Sequence, residues 1–462
     1  MRIEKIHLVL LVFFLVSVIH MVTKFHFILW DEAVYIGIGK YLFSNGAIGL
    51  FEVIRPPGLP MILGLLWFFG AGKIIIYDLI ITLFSLGNIY LAYLIGKKLF
   101  GEKEGLVASV ILAITPVFLY NSFRIMTEIP SAFFVLFAVY LYTEKRPISA
   151  GVSAGLAVTF RFTSGIILPA IILLVFLESR KKPEKMVKSL LFLLAGFIVI
   201  VSPYLFYNQY YYGDPFYSLS LAGQHSYNPV HAINDPLTNV LYYPSAMFWD
   251  NMLLSFALFS LIYAADNKKV RNMLLIAGVC LAVFTLIPNK QIRFGLTFLP
   301  FLSVLASFGL LKMREYMISL KRKPLTVLFS VMVILAVSAS LYGDLVRFNS
   351  FPSEKPDIVD EYYMYFEGFD GTILTSDPVH VAYSDISMIP YYNNITDAHL
   401  IYDRYSGSSD YVVFSFNPFP CFDGECETLR EELFDKIGQN ELYFNKTYEE
   451  TKYIYRVKKS AG

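Results

Sequence analysis

Long apolar runs follow one another along the chain up to about residue 344, with short charged breaks between them. A helix that crosses a hydrocarbon core of about 30 Å needs about 20 apolar residues, and several of the runs lie near the lower limit of that length. The pattern predicts an α-helical polytopic membrane protein. The predicted spans are 6–23, 73–97, 104–120, 128–143, 148–162, 163–178, 186–208, 250–265, 271–288, 293–311 and 325–343.

The composition excludes several other classes of protein. Hydrophobic residues make up 56% of the chain and charged residues 16%, whereas a soluble domain has about 25% charged residues. With 38 basic and 37 acidic residues the chain has no general positive field, so nucleic acid is a poor partner. Three cysteines cannot hold together a chain of 462 residues. Cys421 and Cys426 close a small loop that can oxidise outside the cell, although two unpaired thiols fit the sequence equally well.

Basic residues are distributed unevenly between the two sets of loops that the eleven spans define. One set carries 20 Lys and Arg residues, and the opposite set carries seven before the C-terminal tail. Because loops rich in Lys and Arg remain in the cytoplasm, we expect a cytoplasmic N-terminus and an extracytoplasmic tail in a multi-pass protein of the plasma membrane. The seven outer residues are Lys24, Arg55, Lys73, Arg124, Arg161, Lys290 and Arg293.

Two domains are expected from this organisation. A transmembrane domain, residues 1–343, carries two long outer loops, 24–72 and 209–249. Within the first loop, the apolar segment 58–70 is too short to span and is expected to lie at the membrane surface.

The remainder, 344–462, predicts a small extracytoplasmic α/β domain. Residues 371–375 and 410–415 have the β-branched and aromatic composition of strands, and 428–437 has the pattern of a short amphipathic helix. Glycosylation sequons at Asn394 and Asn445 fit an external location, although such triplets also arise by chance.

An acidic pair, Asp31 and Glu32, follows the first predicted span directly. Acidic residues at a membrane boundary are costly unless they face water or a site. Their spacing alone favours a structural role, because carboxylates at a helix start commonly accept hydrogen bonds from free backbone N–H groups. A catalytic role is the alternative.

The order of several motifs resembles the C-type glycosyltransferases, in the prokaryotic branch of the group that contains dolichyl-phosphate-mannose protein mannosyltransferases and aminoarabinose transferases. Each motif is weak alone, but they occur in the family's order across about residues 5–310. They are Asp31-Glu-Ala-Val-Tyr35 in the first outer loop, Arg55-Pro-Pro-Gly, Met126-Thr-Glu128-Ile-Pro, the glycine-containing segment that ends at Arg161, Tyr212-Gly-Asp214-Pro-Phe, and Lys290-Gln-Ile-Arg293-Phe.

The resemblance implies transfer of a sugar, commonly a hexose such as mannose, from a polyprenyl or dolichyl phosphate to an acceptor hydroxyl at the outer membrane face. It implies that Asp31 is the general base of an inverting reaction, that Glu32 supports it, and that Glu128 is a second acid. Cations suit the donor phosphate because Arg binds phosphate oxygens in pairs. The phosphate-binding residues would be Arg55, Arg161, Lys290 and Arg293, and Tyr35 and Asp214 would lie in the substrate loops.

Departures from the family pattern leave alternatives open. Glu128 stands where many members have Asp, and Arg55 stands where close relatives often have Lys. No metal or other cofactor is expected, and the acceptor could be a protein, a glycan or a lipid. A transporter or flippase of a lipid-linked substrate would share the helices and buried charges, but such proteins usually contain internal repeats, and none is detectable here. A non-catalytic partner in a membrane assembly is the third possibility.

Overall fold

The computed structural model describes residues 4–224, 233, 235–392, 394–419, 421 and 424–458. Residues 225–232 and 234 of the predicted second outer loop lie outside the described residues. The α-helices are, in chain order, α1 (Lys5–Thr23), α2 (Trp30–Phe43), α3 (Gly58–Phe68), α4 (Ile74–Leu99), α5 (Glu102–Ala113), α6 (Pro116–Asn121), α7 (Glu128–Thr143), α8 (Pro147–Phe160), α9 (Ile167–Ser179), α10 (Pro183–Tyr212), α11 (Tyr217–Gln224), α12 (Pro236–Asp250), α13 (Phe256–Phe259), α14 (Lys268–Leu286), α15 (Leu299–Ser319), α16 (Lys323–Asn349), α17 (His380–Tyr383), α18 (Ile395–Tyr405) and α19 (Gly424–Gly438).

The predicted helical membrane fold is confirmed, since helices occupy all eleven predicted spans. Among the described residues, six helices are long and apolar enough to cross a membrane. Four further apolar segments are shorter, and they include α7, α8 and the chain of short helical pieces Met252–Tyr263. The span at 104–120 is divided into α5 and α6 because Pro116 lacks an N–H and begins a new helix.

Two compact units make up the chain. The first, called here the helical unit, contains Met1–Lys24, Val53–Leu59 and Ile75–Phe351. The second, called the mixed unit, contains Phe25–Glu52, Pro60–Ile74 and Pro352–Gly462. The division differs from one at residue 343, because most of the first outer loop groups with the C-terminal part of the chain.

Small residues let the helices of the helical unit approach closely. A Cβ atom added to Gly151 of α8 would lie 2.0 Å from the carbonyl oxygen of Leu193 in α10. Likewise, a Cβ atom added to Gly196 of α10 would lie 2.2 Å from the carbonyl oxygen of Ile148. These two backbones are therefore in direct contact, as small residues commonly allow in membrane helix pairs, and the contact fixes α8, whose end carries Arg161.

A five-stranded sheet forms the centre of the mixed unit. The strands pair in the order β2-β1-β3-β5-β4, in which β2, β1 and β3 are parallel and β5 and β4 are antiparallel to their neighbours. The strands are β1 (Thr372–Thr375), β2 (Ser387–Pro390), β3 (Tyr411–Phe414), β4 (Glu441–Thr447) and β5 (Thr451–Arg456). Both predicted strands and the predicted helix, now α19, are confirmed.

The core of the mixed unit lies between the sheet and two helices. Val412 and Phe414 of β3 and Leu433 and Ile437 of α19 belong to one buried cluster, to which α18 contributes Tyr402. A disulfide joins Cys421 to Cys426 in the first turn of α19.

The first outer loop is built into this sheet. Gly49 donates its N–H to the carbonyl oxygen of Ile386 (2.8 Å) and accepts the N–H of Met388 (2.9 Å), so it extends the sheet beyond β2. Its φ of +93° is a conformation that glycine adopts without strain. The helix before it, α2, packs on α17. The structure therefore fixes the helix that carries Asp31 to the C-terminal fold.

Candidate functional site

The helical unit brings three of the predicted site residues together around one carboxylate, the Glu128 cluster (Glu128, Arg161 and Arg293). Glu128 is the first residue of α7 and is 2% exposed. Its Oε1 atom lies 2.8 Å from Nη1 of Arg161 and 3.5 Å from Nε of Arg293. Two guanidinium groups share one carboxylate, so the cluster carries a net positive charge of one.

Local structure explains how the two arginines reach this point. The helix α8 ends at Phe160, and Arg161 is extended, with φ −156° and ψ 118°. Its guanidinium carbon lies 4.6 Å from the ring centre of Phe294, and that of Arg293 lies 5.6 Å from the same ring. Guanidinium groups at such distances from an aromatic ring are attracted to it. Nε of Arg293 also donates to Oε1 of Gln291 at 2.6 Å.

The second carboxylate oxygen of Glu128 has a different environment from the first. Its Oε2 atom is buried and has no hydrogen-bond partner among the described residues. A buried charged oxygen without a partner is costly, so this atom is suited to accept a hydrogen bond from a hydroxyl group of a bound molecule. The side chains of Arg161 and Arg293 are 16% and 26% exposed, so an anion can reach both guanidinium groups.

The segment of Arg55 lies against the end of α8. A Cβ atom added to Gly58 would lie 2.7 Å from the carbonyl oxygen of Thr159 and 2.9 Å from the ring of Phe160. Only glycine permits this approach. The backbone three residues after Arg55 therefore touches the helix end that precedes Arg161, which brings two predicted phosphate-binding segments to one place.

Lys290 is buried among backbone carbonyls. Its Nζ atom donates to the carbonyl oxygens of Phe284 (2.9 Å) and Thr285 (2.7 Å) and also to that of Ile287. These contacts satisfy the end of α14 and use all three N–H donors of an ammonium group. A phosphate contact would require release of one carbonyl, so the phosphate role of Lys290 stays a prediction.

Asp214 stabilises a turn in the structure. It follows Gly213, which ends α10 with φ +74°, and its Oδ1 atom accepts the N–H of Phe216 at 2.9 Å. The side chain is exposed on this turn. Its contact to a substrate stays a prediction.

In the mixed unit, the acidic pair divides into two different environments. Glu32 is fully buried, and its Oε2 atom accepts the N–H of Leu29 at 2.7 Å, three residues earlier. Its Oε1 atom lies 3.0 Å from Nε2 of His26. The structural interpretation of the pair thus applies to Glu32, which caps α2. Asp31 is only half-buried on the first turn of this helix, and Tyr35 is buried one turn further on.

Lys40 also belongs to this arrangement, although the sequence did not predict it. Lys40, 4% exposed, lies near the end of α2 and donates to the carbonyl oxygens of Val381 (2.7 Å) and Ser384 (3.1 Å). It also pairs with Asp385 at 2.8 Å. Burial lowers the pKa of Lys40, and Asp385 acts in the opposite direction. The partners are more than 300 residues away in the chain, so no local sequence pattern signals the contact.

Part of the sequence matches a known protein family. Residues 55–207 match the sequence family described as dolichyl-phosphate-mannose-protein mannosyltransferase, a range that includes Arg55, Glu128 and Arg161. No curated protein matches the sequence significantly.

Several solved structures share the fold. ArnT from Cupriavidus metallidurans, bound to undecaprenyl phosphate, is 12% identical, with 98% of each chain covered and a TM-score of 0.69. The oligosaccharyltransferase of Archaeoglobus fulgidus is 13% identical, with 100% of this chain and 75% of that chain covered and a TM-score of 0.63. The mycobacterial arabinofuranosyltransferase AftD is 12% identical, with 99% and 40% covered and a TM-score of 0.57.

The resemblance that the motifs predicted is therefore confirmed at the level of the fold. The chain has the fold of these glycosyltransferase structures, and its residues 55–207 match the family described as dolichyl-phosphate-mannose-protein mannosyltransferase.

Proposed function

We propose that this protein is a membrane glycosyltransferase that moves a sugar from a polyprenyl-phosphate or dolichyl-phosphate donor to an acceptor hydroxyl. The observation that carries the proposal is the Glu128 cluster, in which two guanidinium groups converge on one buried carboxylate of a chain with the C-type fold. Charged side chains within the membrane-embedded part of a protein are costly and commonly mark a functional site.

The chemistry of the donor's leaving group explains why two arginines converge at this place. When the bond between the sugar and the phosphate breaks, negative charge develops on the phosphate oxygens, and fixed cations stabilise that charge. Arg161 and Arg293 are suited to this role because a guanidinium group donates two parallel hydrogen bonds to a phosphate. The structure of ArnT contains undecaprenyl phosphate, and one structure of the Archaeoglobus fulgidus enzyme contains dolichol phosphate. A lipid phosphate donor for this chain is consistent with both.

The acceptor must lose a proton as its oxygen attacks the anomeric carbon. Asp31 is the proposed general base because it stands at the position of the base in the motif that the sequence resembles, and Glu32 beside it caps α2 and contacts His26. A carboxylate within hydrogen-bond reach of the hydroxyl can take the proton, and a single displacement then inverts the configuration of the sugar. Oε2 of Glu128 is proposed to accept a hydrogen bond from a hydroxyl of the sugar or of the acceptor. A hexose such as mannose is the proposed sugar.

Purified protein incubated with a panel of radiolabelled polyprenyl-phosphate sugars tests the proposal. We expect one donor to be consumed, and we expect Arg161→Ala and Arg293→Ala each to weaken donor binding by about 1.5–3 kcal/mol, the contribution of a charge-assisted hydrogen bond. The matched control is Arg271→Ala, an exposed arginine at the start of α14, which should bind donor like the parent.

Two results would contradict the proposal. One is a failure to consume any polyprenyl-phosphate sugar under conditions in which the protein remains folded. The other is donor binding that survives both arginine substitutions unchanged, which would place the phosphate site elsewhere.

A further inference from the structure

A cavity of about 730 Å³ lies within the mixed unit and has no role in the site described so far. Its wall includes the segment 27–30, which leads directly into α2 and Asp31. The aromatic side chains of Phe27, Trp30, Tyr363 and Tyr448 line it. A cavity of this size, with apolar walls and a few fixed polar groups, is typical of a binding site for a small molecule or part of a larger one.

The polar part of the cavity includes a network of three charged groups, two of which are buried. Nζ of Lys452 lies 3.1 Å from Oδ2 of Asp377 and 2.6 Å from Oε1 of Glu450. Asp377 and Lys452 are 3% and 7% exposed. Burial acts to lower the pKa of Lys452, but the two carboxylates outweigh it and hold the pKa above its ordinary value. The lysine is therefore charged at neutral pH.

The charge of the lining selects the kind of ligand. Asp377, Glu449 and Glu450 contribute three carboxylates against the single ammonium group of Lys452, so the lining has a net charge of −2 at neutral pH. Such a wall repels phosphates, nucleic acids and acidic peptides. It therefore does not suit the phosphate of the proposed donor, for which the helical unit has arginines.

Uncharged hydroxyl groups fit this lining. A hydroxyl both donates and accepts hydrogen bonds, so neighbouring hydroxyls on a sugar ring can donate to a carboxylate and accept from Lys452 at the same time. Aromatic rings offer large rigid apolar surfaces on which the C–H faces of a sugar can pack. The ring of Tyr392 packs against that of Trp30, with 4.5 Å between the ring centres.

We propose that this cavity binds a neutral carbohydrate and that the bound sugar is part of the acceptor. The acceptor role rests on the proposed function, whereas carbohydrate binding does not. Trp30 lines the cavity and directly precedes Asp31 in the chain. Because the Cα atoms of neighbouring residues are about 3.8 Å apart, the wall of the cavity lies close to the proposed base. A glycan held here places its hydroxyls near the proposed base.

Binding can be observed through Trp30. The chain contains three tryptophans, so Trp67→Phe with Trp249→Phe leaves Trp30 as the only tryptophan emitter. We expect mannotriose, or maltotriose, to change this emission in a saturable manner in the absence of any donor. If the double variant does not fold, hydrogen exchange of residues 448–452 in the parental chain, with and without the trisaccharide, makes the same measurement.

Two variants of cavity residues, each with a matched control on the same hairpin, show where the trisaccharide binds. Tyr448→Ala should weaken trisaccharide binding about tenfold, the effect of losing roughly 1.4 kcal/mol, and Glu449→Gln should weaken it to a smaller extent. Tyr443→Ala and Glu441→Gln alter exposed residues of the same β4–β5 hairpin outside the cavity. Both controls should bind like the parent.

Failure of this proposal is distinguishable from failure of the proposed function. No response to either trisaccharide, or an equal response in Tyr448→Ala and Tyr443→Ala, would overturn the carbohydrate site. A response only to an uncharged Ser/Thr-containing peptide would also overturn it and assign the cavity to a protein acceptor. Trisaccharide binding in a protein that consumes no polyprenyl-phosphate sugar would keep the carbohydrate site and overturn only its acceptor role.

Discussion

At the scale of single residues, Glu128 forms ion pairs with both arginines that we propose bind the donor phosphate. It partly neutralises Arg161 and Arg293 through Oε1 and keeps Oε2 available. The same carboxylate therefore has two opposing effects on an anionic donor. It orients the arginines, and it reduces the positive charge that attracts the phosphate.

A substitution separates these effects. Glu128→Gln removes the negative charge and keeps the size of the side chain, so donor binding should be as tight as in the parent or tighter. Turnover should fall roughly 10- to 100-fold, because the amide is a weaker acceptor for the hydroxyl than the carboxylate, whose hydrogen bond contributes about 1.5–3 kcal/mol. Donor Kd and single-turnover rates measure the two quantities. Glu144→Gln is the control, since Glu144 lies at the other end of α7 and pairs with Lys98. Weaker donor binding together with an unchanged rate would contradict the assigned role.

Some residue-scale features were accessible from the sequence and others were not. The order of the motifs identified Arg161 and Glu128, and the structure shows them in contact. The contacts of Lys290 were not predictable, because an isolated lysine after a helix gives no indication that the chain turns back on the carbonyls of α14. Similarly, the sequence showed Asp31 and Glu32 as a pair, but only the fold shows that Glu32 caps the helix.

At the scale of the elements, the lengths of the apolar runs predicted the positions of the helices well, because each run needs a nonpolar environment along its whole length. It did not predict how the first outer loop folds. The bridge between Gly49 and Ser387 joins residues more than 300 positions apart, and such a pairing leaves no local pattern.

Close packing of α2 on α3 gives a test at this scale. A Cβ atom on Gly39 would lie 2.7 Å from the backbone nitrogen of Gly64 and 2.7 Å from the carbonyl oxygen of Pro60. Backbone atoms cannot move aside, so Gly39→Ala should lower the stability of the fold by about 1–3 kcal/mol, the usual cost of overpacking.

Thermal unfolding of the purified protein measures this effect. The matched control is Gly278→Ala in α14, where an added Cβ atom meets no other atom within 4 Å. The control should be neutral or slightly stabilising, because alanine is the better helix former. Equal unfolding midpoints for the two variants would show that α2 and α3 do not pack as described.

At the scale of the whole molecule, the uneven distribution of basic loops supports an orientation that we propose for the chain, with the mixed unit outside the cytoplasm. Cysteine labelling in intact cells measures it. Asn445→Cys, in the exposed β4, should react with an impermeant maleimide, whereas Lys181→Cys, between α9 and α10, should react only after the membrane is opened. The reverse pattern would move the site to the cytoplasmic face and contradict the use of an externally presented donor.

The two units of the molecule carry different kinds of charged groups. The helical unit holds arginines on a buried carboxylate, and the mixed unit holds the acidic helix start and a cavity with a negative lining. The sequence predicted two parts but placed the first outer loop with the transmembrane domain, because chain order alone does not show that residues 25–52 complete the C-terminal sheet.

Turnover of Asp31→Asn tests the central claim most directly. Asparagine is nearly isosteric and can stand at a helix N-terminus, and Glu32 still caps α2, so the variant should fold with the parental unfolding midpoint and bind donor normally. Transfer from the polyprenyl-phosphate sugar should fall about 10²–10⁴-fold, the contribution of a general base. An Asp31→Asn protein with near-parental transfer would contradict the account and make Asp31 a structural residue of the helix start.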